Sequence, residues 1–200
     1  AIEDHLDRDI SSGEEKHQPW MDLDIFHVRQ STPKGLADAI NLARPFAVNR
    51  PFVVALGDSI ILSHSNEPLL KHMMDLHLKY RPAATIAVET VPHTSVNRYG
   101  IVAPRGKKTE GWFFIDDIVE KPLPKDAPSN FSAAGRYILE PVICDAIRRT
   151  KPGIGGEIWL TDALRILLQK GHEILCVRLR KGERRLDIGN FLSYFQAFTE

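Results

Sequence analysis

The sequence has little cysteine and no excess charge of either sign. Only two cysteines occur among its 200 residues, Cys144 and Cys176, and they form no CxxC pair. Thiols this sparse are typical of a reducing compartment, where they serve as small core residues rather than in disulfides. The 26 basic and 26 acidic residues cancel, so no global charge favours nucleic acid or an anionic membrane as a partner. Any phosphate binding would have to come from a local site.

The sequence also lacks long apolar runs. No segment reaches the length needed to span a bilayer, and no basic-then-apolar segment near the start indicates secretion. We therefore expect a cytoplasmic protein with no membrane or nucleic-acid partner. The eight histidines have no metal-ligand spacing, and no Ser/His/Asp triad or activated cysteine can be read from the chain.

The most informative stretch covers residues 51–61, PFVVALGDSII. Its five unbroken apolar residues, 52–56, predict a strand buried on both faces, which is the pattern of a central parallel strand. Asp58 then follows the carboxyl end of that strand, the edge at which open α/β sheets bind ligands. It is a candidate metal ligand or acid/base group, and Gly57 would let a ligand approach the backbone. The alternative is that Asp58 only caps a following turn or helix.

The rest of the chain alternates between strand and helix patterns. Further strands are predicted at 23–28, 84–91, 132–139 and 173–179, with short β segments at 99–102, 112–115 and 118–122. Helices are predicted over 36–43, 68–80 and 141–150, from the glycine loop at 155–156 to 170, and from 190 onward. The first helix lies between two strands, which predicts a right-handed crossover with parallel strands. The sequence therefore predicts an α/β fold with a mixed, mainly parallel sheet flanked by helices.

A second acidic loop, Leu186-Asp187-Ile188-Gly189, follows at another strand-to-helix junction. Carboxylates on two separate loops, with Lys34 and Lys121 on others, would suit a magnesium-bridged phosphate site. Spacing alone does not show that these side chains meet.

Seven motifs, taken in order, resemble those of the nucleotidyltransferases that make nucleotide sugars. They are Gln30–Gly35 with the following Leu36–Ala39, Leu56–Asp58, Asn97–Gly100, Val119–Pro122, Gly135–Tyr137, Gly156–Asp162 and Asp187–Gly189. The resemblance spans nearly the whole chain and is strongest to the uridylyltransferase branch of that family. It implies a Rossmann-like fold of the nucleotide-diphospho-sugar transferase type. We expect one partial nucleotidyltransferase domain over residues 1–200, with a β-rich, sugar-binding portion around 97–140.

The resemblance also implies a role for each matched position. Asp58 and Asp187 match magnesium ligands, and Lys121 matches the lysine on the sugar-phosphate side. The implied substrate contacts are Gln30 and Gly35 for the uracil edge, Gly100 and Glu120 for the sugar hydroxyls, and Gly135 and Glu157 along the sugar pocket. Gly57, beside Asp58, is expected to border the same substrate.

The implied reaction is the magnesium-dependent transfer of UMP from UTP to glucose-1-phosphate, which gives UDP-glucose and pyrophosphate. Such a transfer needs no covalent protein nucleophile, because alignment and charge neutralisation suffice. Homo-oligomers are usual in the family. Two alternatives stay open: transfer of a thymidylyl or other nucleotidyl group to a sugar-1-phosphate, and a non-catalytic lobe that binds sugar nucleotides.

One motif of the family has no counterpart in this chain. The glycine-rich loop that cradles the nucleotide phosphates, with its following arginine and Pro-Lys pair, is missing from the sequence. We therefore expect an N-terminally truncated member of the family. These residues alone should catalyse poorly or not at all, because side chains elsewhere do not replace the backbone amides of such a loop.

Overall fold

The computed structural model describes residues 23–63, 65, 67–106, 111–189 and 191–198. Backbone contacts divide the chain into two compact units, residues 1–32 and 33–200. In the first unit, residues 24–30 have no regular secondary structure, so the prediction of a strand at 23–28 is wrong. The physical reason is that a strand needs a partner for its backbone groups, and the described residues of this unit form no ladder. The apolar side chains of the predicted strand, Leu23, Ile25, Phe26 and Val28, are exposed instead, Phe26 to 68%.

The second unit contains the five predicted helices and one short helix, Arg44–Ala47, that was not predicted. Among the described residues they are Leu36–Leu42 (α1), Arg44–Ala47 (α2), Leu69–Tyr80 (α3), Val142–Arg149 (α4), Leu160–Gln169 (α5) and Phe191–Phe198 (α6). Within the described ranges, 3₁₀ turns cover His93–Arg98, Pro124–Asp126 and Ile154–Gly156. Pro45 lies in the first turn of α2, where a missing backbone N–H costs nothing. None of the described helices has the length and apolar character needed to cross a membrane.

Eight strands are described. They are Phe52–Ala55 (β1), Ser59–Leu62 (β2), Ala84–Thr90 (β3), Gly100–Pro104 (β4), Trp112–Glu120 (β5), Phe131–Leu139 (β6), Ile174–Arg178 (β7) and Arg184–Asp187 (β8). The two segments predicted at 112–115 and 118–122 form one strand, β5. Strands β2 and β8 were absent from the sequence prediction.

Six strands form one mixed sheet in the order β1-β6-β3-β7-β5-β4. The mixed α/β architecture is confirmed, but the prediction of mainly parallel pairing is wrong. Among the described strands, only β3 and β7 are parallel neighbours, and the other pairs in this sheet are antiparallel. Strands β5 and β6 run against β1, β3, β4 and β7, and they are inserted between or beside them. The predicted parallel crossover is also wrong, because its first strand, at 23–28, is not formed.

Strand β1 lies at an end of this sheet rather than at its centre. It pairs with β6, and its residues alternate between half-buried and exposed, with Val53 43% exposed. The predicted burial on both faces is therefore wrong, although the prediction that Asp58 follows the carboxyl end of the strand is confirmed.

Helices cover both faces of the central strands. Along β3, Ile86 and Val88 pack with α1, α4 and α5, whereas Ala87 packs with α3 on the opposite face. This alternation follows from the two-residue period of a strand. Cys144 and Cys176 are free and buried in the core, as the sequence predicted.

Candidate active site

The two acidic loops meet through a two-stranded ribbon formed by β2 and β8. Its antiparallel register places Ser59 opposite Asp187, and the N–H of Ile188 donates to the Asp58 carbonyl at 2.8 Å. A Cβ built on Gly189 would lie 3.2 Å from Asp187 Oδ1 and 3.3 Å from Asp58 Oδ2. The two carboxylates therefore face the same small volume beside Gly189.

These carboxylates border a cleft of about 320 Å³. The predicted site residues that line it are Asp58, Gly100, Glu120, Lys121, Gly135, Glu157 and Asp187. The structure brings these seven positions together from six separate segments of the chain. Gly57 is not among the lining residues, and a Cβ built there would have no neighbour within 4 Å among the described residues. Gln30 belongs to the first unit, 1–32, so its predicted contact with uracil stays a prediction.

Backbone packing explains why position 35 is a glycine. Its φ is +94°, and a Cβ there would lie 2.8 Å from the carbonyl oxygen of Ile158. Two backbone hydrogen bonds hold this contact: Ile158 donates to Lys34 at 2.7 Å, and Ala37 donates to Ile158 at 3.2 Å. Glycine is thus required where the start of α1 meets the segment before α5. Neighbouring Leu36 lines the cleft, and the predicted nucleobase role of Gly35 stays a prediction.

The Glu120 carboxylate is held at the inner wall of the cleft. Thr161 Oγ1 donates to Glu120 Oε2 at 3.0 Å, and a Cβ on Gly100 would come within 2.7 Å of Thr161 Cγ2. Burial raises the pKa of Glu120, and the hydrogen bond from Thr161 and the charge of Lys121 offset this only in part. Since Thr161 uses one carboxylate oxygen, the other is available to accept from a ligand hydroxyl.

Lys121 has an unusual backbone. Its φ is +44°, in the left-handed region that residues other than glycine rarely adopt. The following Pro122 makes this less usual still, because a residue before proline favours an extended backbone. Its N–H donates to the Tyr99 carbonyl at 2.9 Å. Strain of this kind concentrates at functional sites, and Lys121 lies beside Glu120 in the cleft.

Sequence reasoning assigned no site role to several residues that line the cleft, among them Arg98, Tyr99, Trp159, Thr161 and Arg185. Arg185 lies 4.6 Å from the Tyr99 ring centroid and pairs with Glu89 at 2.5 Å. Two sequence features could have identified some of these residues. Tyr99 and Thr161 belong to motifs that carried the family resemblance, and Arg185 lies two residues before Asp187.

Comparison with known proteins identifies the family. Residues 3–200 match the family described as nucleotidyl transferase. The chain belongs to this family. It is 39% identical over 209 residues to a UTP–glucose-1-phosphate uridylyltransferase of Streptococcus pyogenes, in an alignment that covers 98% of the chain and 67% of that relative.

Two solved structures of UDP-glucose pyrophosphorylase are similar in fold to this nucleotidyl transferase chain. A crystal structure of UDP-glucose pyrophosphorylase complexed with UDP-glucose matches with a TM-score of 0.79 at 38% identity, over 86% of this chain and 64% of that one. A structure of apo UDP-glucose pyrophosphorylase matches with a TM-score of 0.87 at 33% identity, over 99% of this chain and 75% of that one. The chain therefore spans only part of the length of these relatives.

Nucleotidyltransferases of this family generally use a divalent metal, and the two carboxylates fit such an ion. Mg²⁺ is usually bound by one or two carboxylates, with waters and substrate phosphates completing its coordination. Over the described part of the chain, no cluster of three or more His, Cys, Asp or Glu side chains could enclose a metal. Asp187 Oδ1 accepts from the Gly189 N–H at 2.9 Å, which leaves its other oxygen available. A pair of carboxylates open to the cleft suits an ion shared with a phosphorylated substrate.

Proposed function

We propose that this chain carries the site for transfer of UMP from UTP to glucose-1-phosphate, giving UDP-glucose and pyrophosphate. The observation that carries the proposal is the convergence of Asp58 and Asp187 on one side of a cleft that also holds Glu120 and Lys121. Carboxylates for a cation, a lysine for a phosphate and a glutamate for sugar hydroxyls are the groups that this transfer needs.

In the proposed complex, Asp58 and Asp187 would hold Mg²⁺. When bound, this ion supplies neutralisation of phosphate charge and fixes the orientation of the nucleotide. Lys121 pairs with the phosphate of glucose-1-phosphate as a point charge. The sugar hydroxyls donate to Glu120, and Gly100 leaves room for the ring. Gly135 and Glu157 border the sugar, whereas Gln30 and Gly35 are assigned to the uracil.

The reaction is an in-line displacement. A phosphate oxygen of glucose-1-phosphate forms a bond to the α-phosphorus of UTP while the bond from that phosphorus to the bridging oxygen breaks, and pyrophosphate leaves with the electron pair. The protein residues align the two substrates and balance their charge. None of them needs to form a covalent intermediate.

The comparisons support the choice of substrate. The relatives are named for UTP, glucose-1-phosphate and UDP-glucose, and one solved relative contains UDP-glucose. A cytoplasmic location, which the two free buried thiols favour, is part of the proposal, and so is assembly into a homo-oligomer.

Binding and turnover should be measured separately, because low turnover of these residues alone is a prediction of its own. Calorimetry with Mg²⁺ should give tighter binding of UDP-glucose than of dTDP-glucose. Asp58→Asn should weaken UDP-glucose binding in Mg²⁺ by roughly tenfold or more, since it removes one of two carboxylate ligands. Asp116→Asn, at an exposed ion pair with Arg105, is the matched control and should bind like the wild type.

Turnover is tested in both directions, from UTP plus glucose-1-phosphate and from UDP-glucose plus pyrophosphate. Any product formed should disappear in Asp58→Asn and persist in Asp116→Asn. A preference for dTDP-glucose would replace uridylyl by thymidylyl transfer. Absence of UDP-glucose binding to the wild-type chain would refute the proposal, whereas binding without turnover would indicate a sugar-nucleotide-binding lobe.

A further inference from the structure

Arg136 clamps the turn that carries Asp58. This residue belongs to β6, next to the edge strand β1. Its Nη2 donates to the carbonyl oxygen of Ser59 at 2.7 Å, and its Nη1 donates to the carbonyl oxygen of Leu56 at 3.2 Å. Leu56 and Ser59 flank the Gly57-Asp58 turn, so one guanidinium holds both ends of the turn.

The same turn is docked onto β6 by the backbone around Arg136. Gly135 has a φ of +74°, and a Cβ there would lie 2.9 Å from Ser59 Oγ. Its carbonyl oxygen accepts from the Leu56 N–H at 3.0 Å and from Arg136 Nη1 at 2.9 Å. Ser59 Oγ donates to the Ala134 carbonyl at 3.2 Å. The turn is thus held by its backbone groups, the Ser59 hydroxyl and the Arg136 guanidinium, and not by the carboxylate of Asp58.

The charge relation between the two side chains supports this arrangement. Burial lowers the pKa of the Arg136 guanidinium, and the nearby charge of Asp58 raises it. Across the described residues, however, Arg136 and Asp58 do not approach within ion-pair distance, because the guanidinium is occupied by backbone carbonyls. The Asp58 carboxylate is exposed and stays available to a cation.

We propose that Arg136 is the positioning residue for Asp58, holding its turn so that the carboxylate points at the same volume as that of Asp187. The inference rests on the proposed function, because it assigns Asp58 to a divalent cation. A planar guanidinium with separate N–H groups can donate to carbonyls at both ends of the turn at once. Supporting groups of this kind contribute to metal affinity without touching the metal.

Two variants of the full chain test this role. Arg136→Met keeps the apolar stem and removes every donor, whereas Arg136→Lys keeps the charge on a single nitrogen. Arg105→Met is the control, since Arg105 is an exposed arginine whose ion partners are Asp116 and Glu173. The readouts are Mn²⁺ affinity in the presence of UDP-glucose, measured by electron paramagnetic resonance, UDP-glucose affinity without metal, and amide hydrogen exchange over residues 56–59.

Arg136→Met should lose about tenfold or more in Mn²⁺ affinity, with metal-free UDP-glucose affinity unchanged and faster exchange at Leu56 and Ser59. Arg136→Lys should fall between this variant and the wild type, and Arg105→Met should match the wild type in all three readouts. Unchanged Mn²⁺ affinity in Arg136→Met would overturn the inference, and so would an equal loss of metal-free UDP-glucose affinity. If the wild-type chain binds no UDP-glucose, the proposed function fails. In that case unchanged exchange at residues 56–59 would separately overturn the clamp.

Discussion

The N–H of Ile188 donates to the carbonyl oxygen of Asp58 at 2.8 Å, so the backbone itself joins the two acidic loops. This bond continues the β2–β8 ladder, in which Ser59 is opposite Asp187. Because a ladder has one register, the two carboxylates are placed together by main-chain geometry. Their side chains therefore need no bond to each other and can both turn to a ligand.

The first prediction concerns the glycine between the carboxylates. A Cβ at Gly189 would lie 3.2 Å from Asp187 Oδ1 and 3.3 Å from Asp58 Oδ2, close enough that both side chains must shift. Gly189→Ala should therefore weaken Mn²⁺ binding in the presence of UDP-glucose by roughly tenfold, as measured by electron paramagnetic resonance. Its melting temperature should change little, because the crowded atoms are side-chain tips. Wild-type metal affinity in this variant would show that the carboxylates do not share an ion.

The second prediction concerns the pH dependence of stability. Burial raises the pKa of Glu120 above its ordinary value of 4.5, so the folded state holds this proton more tightly than the unfolded chain. Below pH 4.5, Glu120 is protonated in both states and its pKa shift does not reduce stability. As the pH rises from there through the higher pKa of the folded state, the free energy of unfolding falls. Glu120→Gln removes this cost. The free energy of unfolding of Glu120→Gln, relative to wild type, should rise as the pH increases from below 4.5 through the raised folded-state pKa of Glu120.

Thr161→Val supplies the matched variant for this experiment. The hydrogen bond from Thr161 lowers the pKa of Glu120, so its removal should raise that pKa further and steepen the loss of stability with pH. Urea unfolding at several pH values measures both effects. A difference between Glu120→Gln and wild type that is constant with pH would contradict the assignment.

The third prediction compares two glycines of the predicted site. A Cβ at Gly100 would lie 2.7 Å from Thr161 Cγ2, whereas one at Gly57 would have no neighbour within 4 Å in the part of the chain that the structure describes. Gly100→Ala should therefore lower the free energy of unfolding by about 1–3 kcal/mol through overpacking, and Gly57→Ala should leave it unchanged. If Gly57 borders the substrate, Gly57→Ala should nevertheless weaken UDP-glucose binding. Unfolding and calorimetry on both variants distinguish these effects, and the reverse order of stabilities would be inconsistent with the packing.

The fourth prediction concerns a buried polar network away from the cleft. His77 Nδ1 lies 2.8 Å from Thr85 Oγ1, and its Nε2 lies 3.1 Å from Glu140 Oε1. Both His77 and Thr85 are buried. Thr85→Val leaves a ring nitrogen without its partner and should cost about 1–3 kcal/mol of stability, with UDP-glucose affinity unchanged. A change in UDP-glucose affinity without a change in stability would mean that this network is energetically coupled to the cleft.

Local patterns predicted the helices well. Leu69, Met73 and Leu76 recur at helical spacing, and all three are buried along α3. The turn after β1 was also predictable, because Gly57 and Asp58 end an apolar run. The same apolar run did not reveal that β1 lies at an end of the sheet, since burial depends on neighbours distant in sequence.

The β2–β8 ribbon could not be predicted from local sequence. Strands β2 (SIIL) and β8 (RRLD) have four residues each. Both are too short to show a strand pattern, and β8 is also highly charged. The two strands are far apart along the chain, so only the tertiary fold sets their register. The opposite error occurred at 23–28, where a strand-like alternation lacks a partner ladder within the described residues of its unit. Asp58 was singled out by its place after the apolar run and the other site residues by motif resemblance, and only the structure showed that seven of them line one cleft.

The most direct test of the central claim is anomalous diffraction from crystals of the chain grown with UDP-glucose and Mn²⁺. The account predicts a manganese peak within coordination distance of both Asp58 and Asp187, with the nucleotide sugar in the adjoining cleft beside Glu120 and Lys121. UDP-glucose bound in the cleft with manganese at another position, or with neither carboxylate coordinating it, would contradict the account.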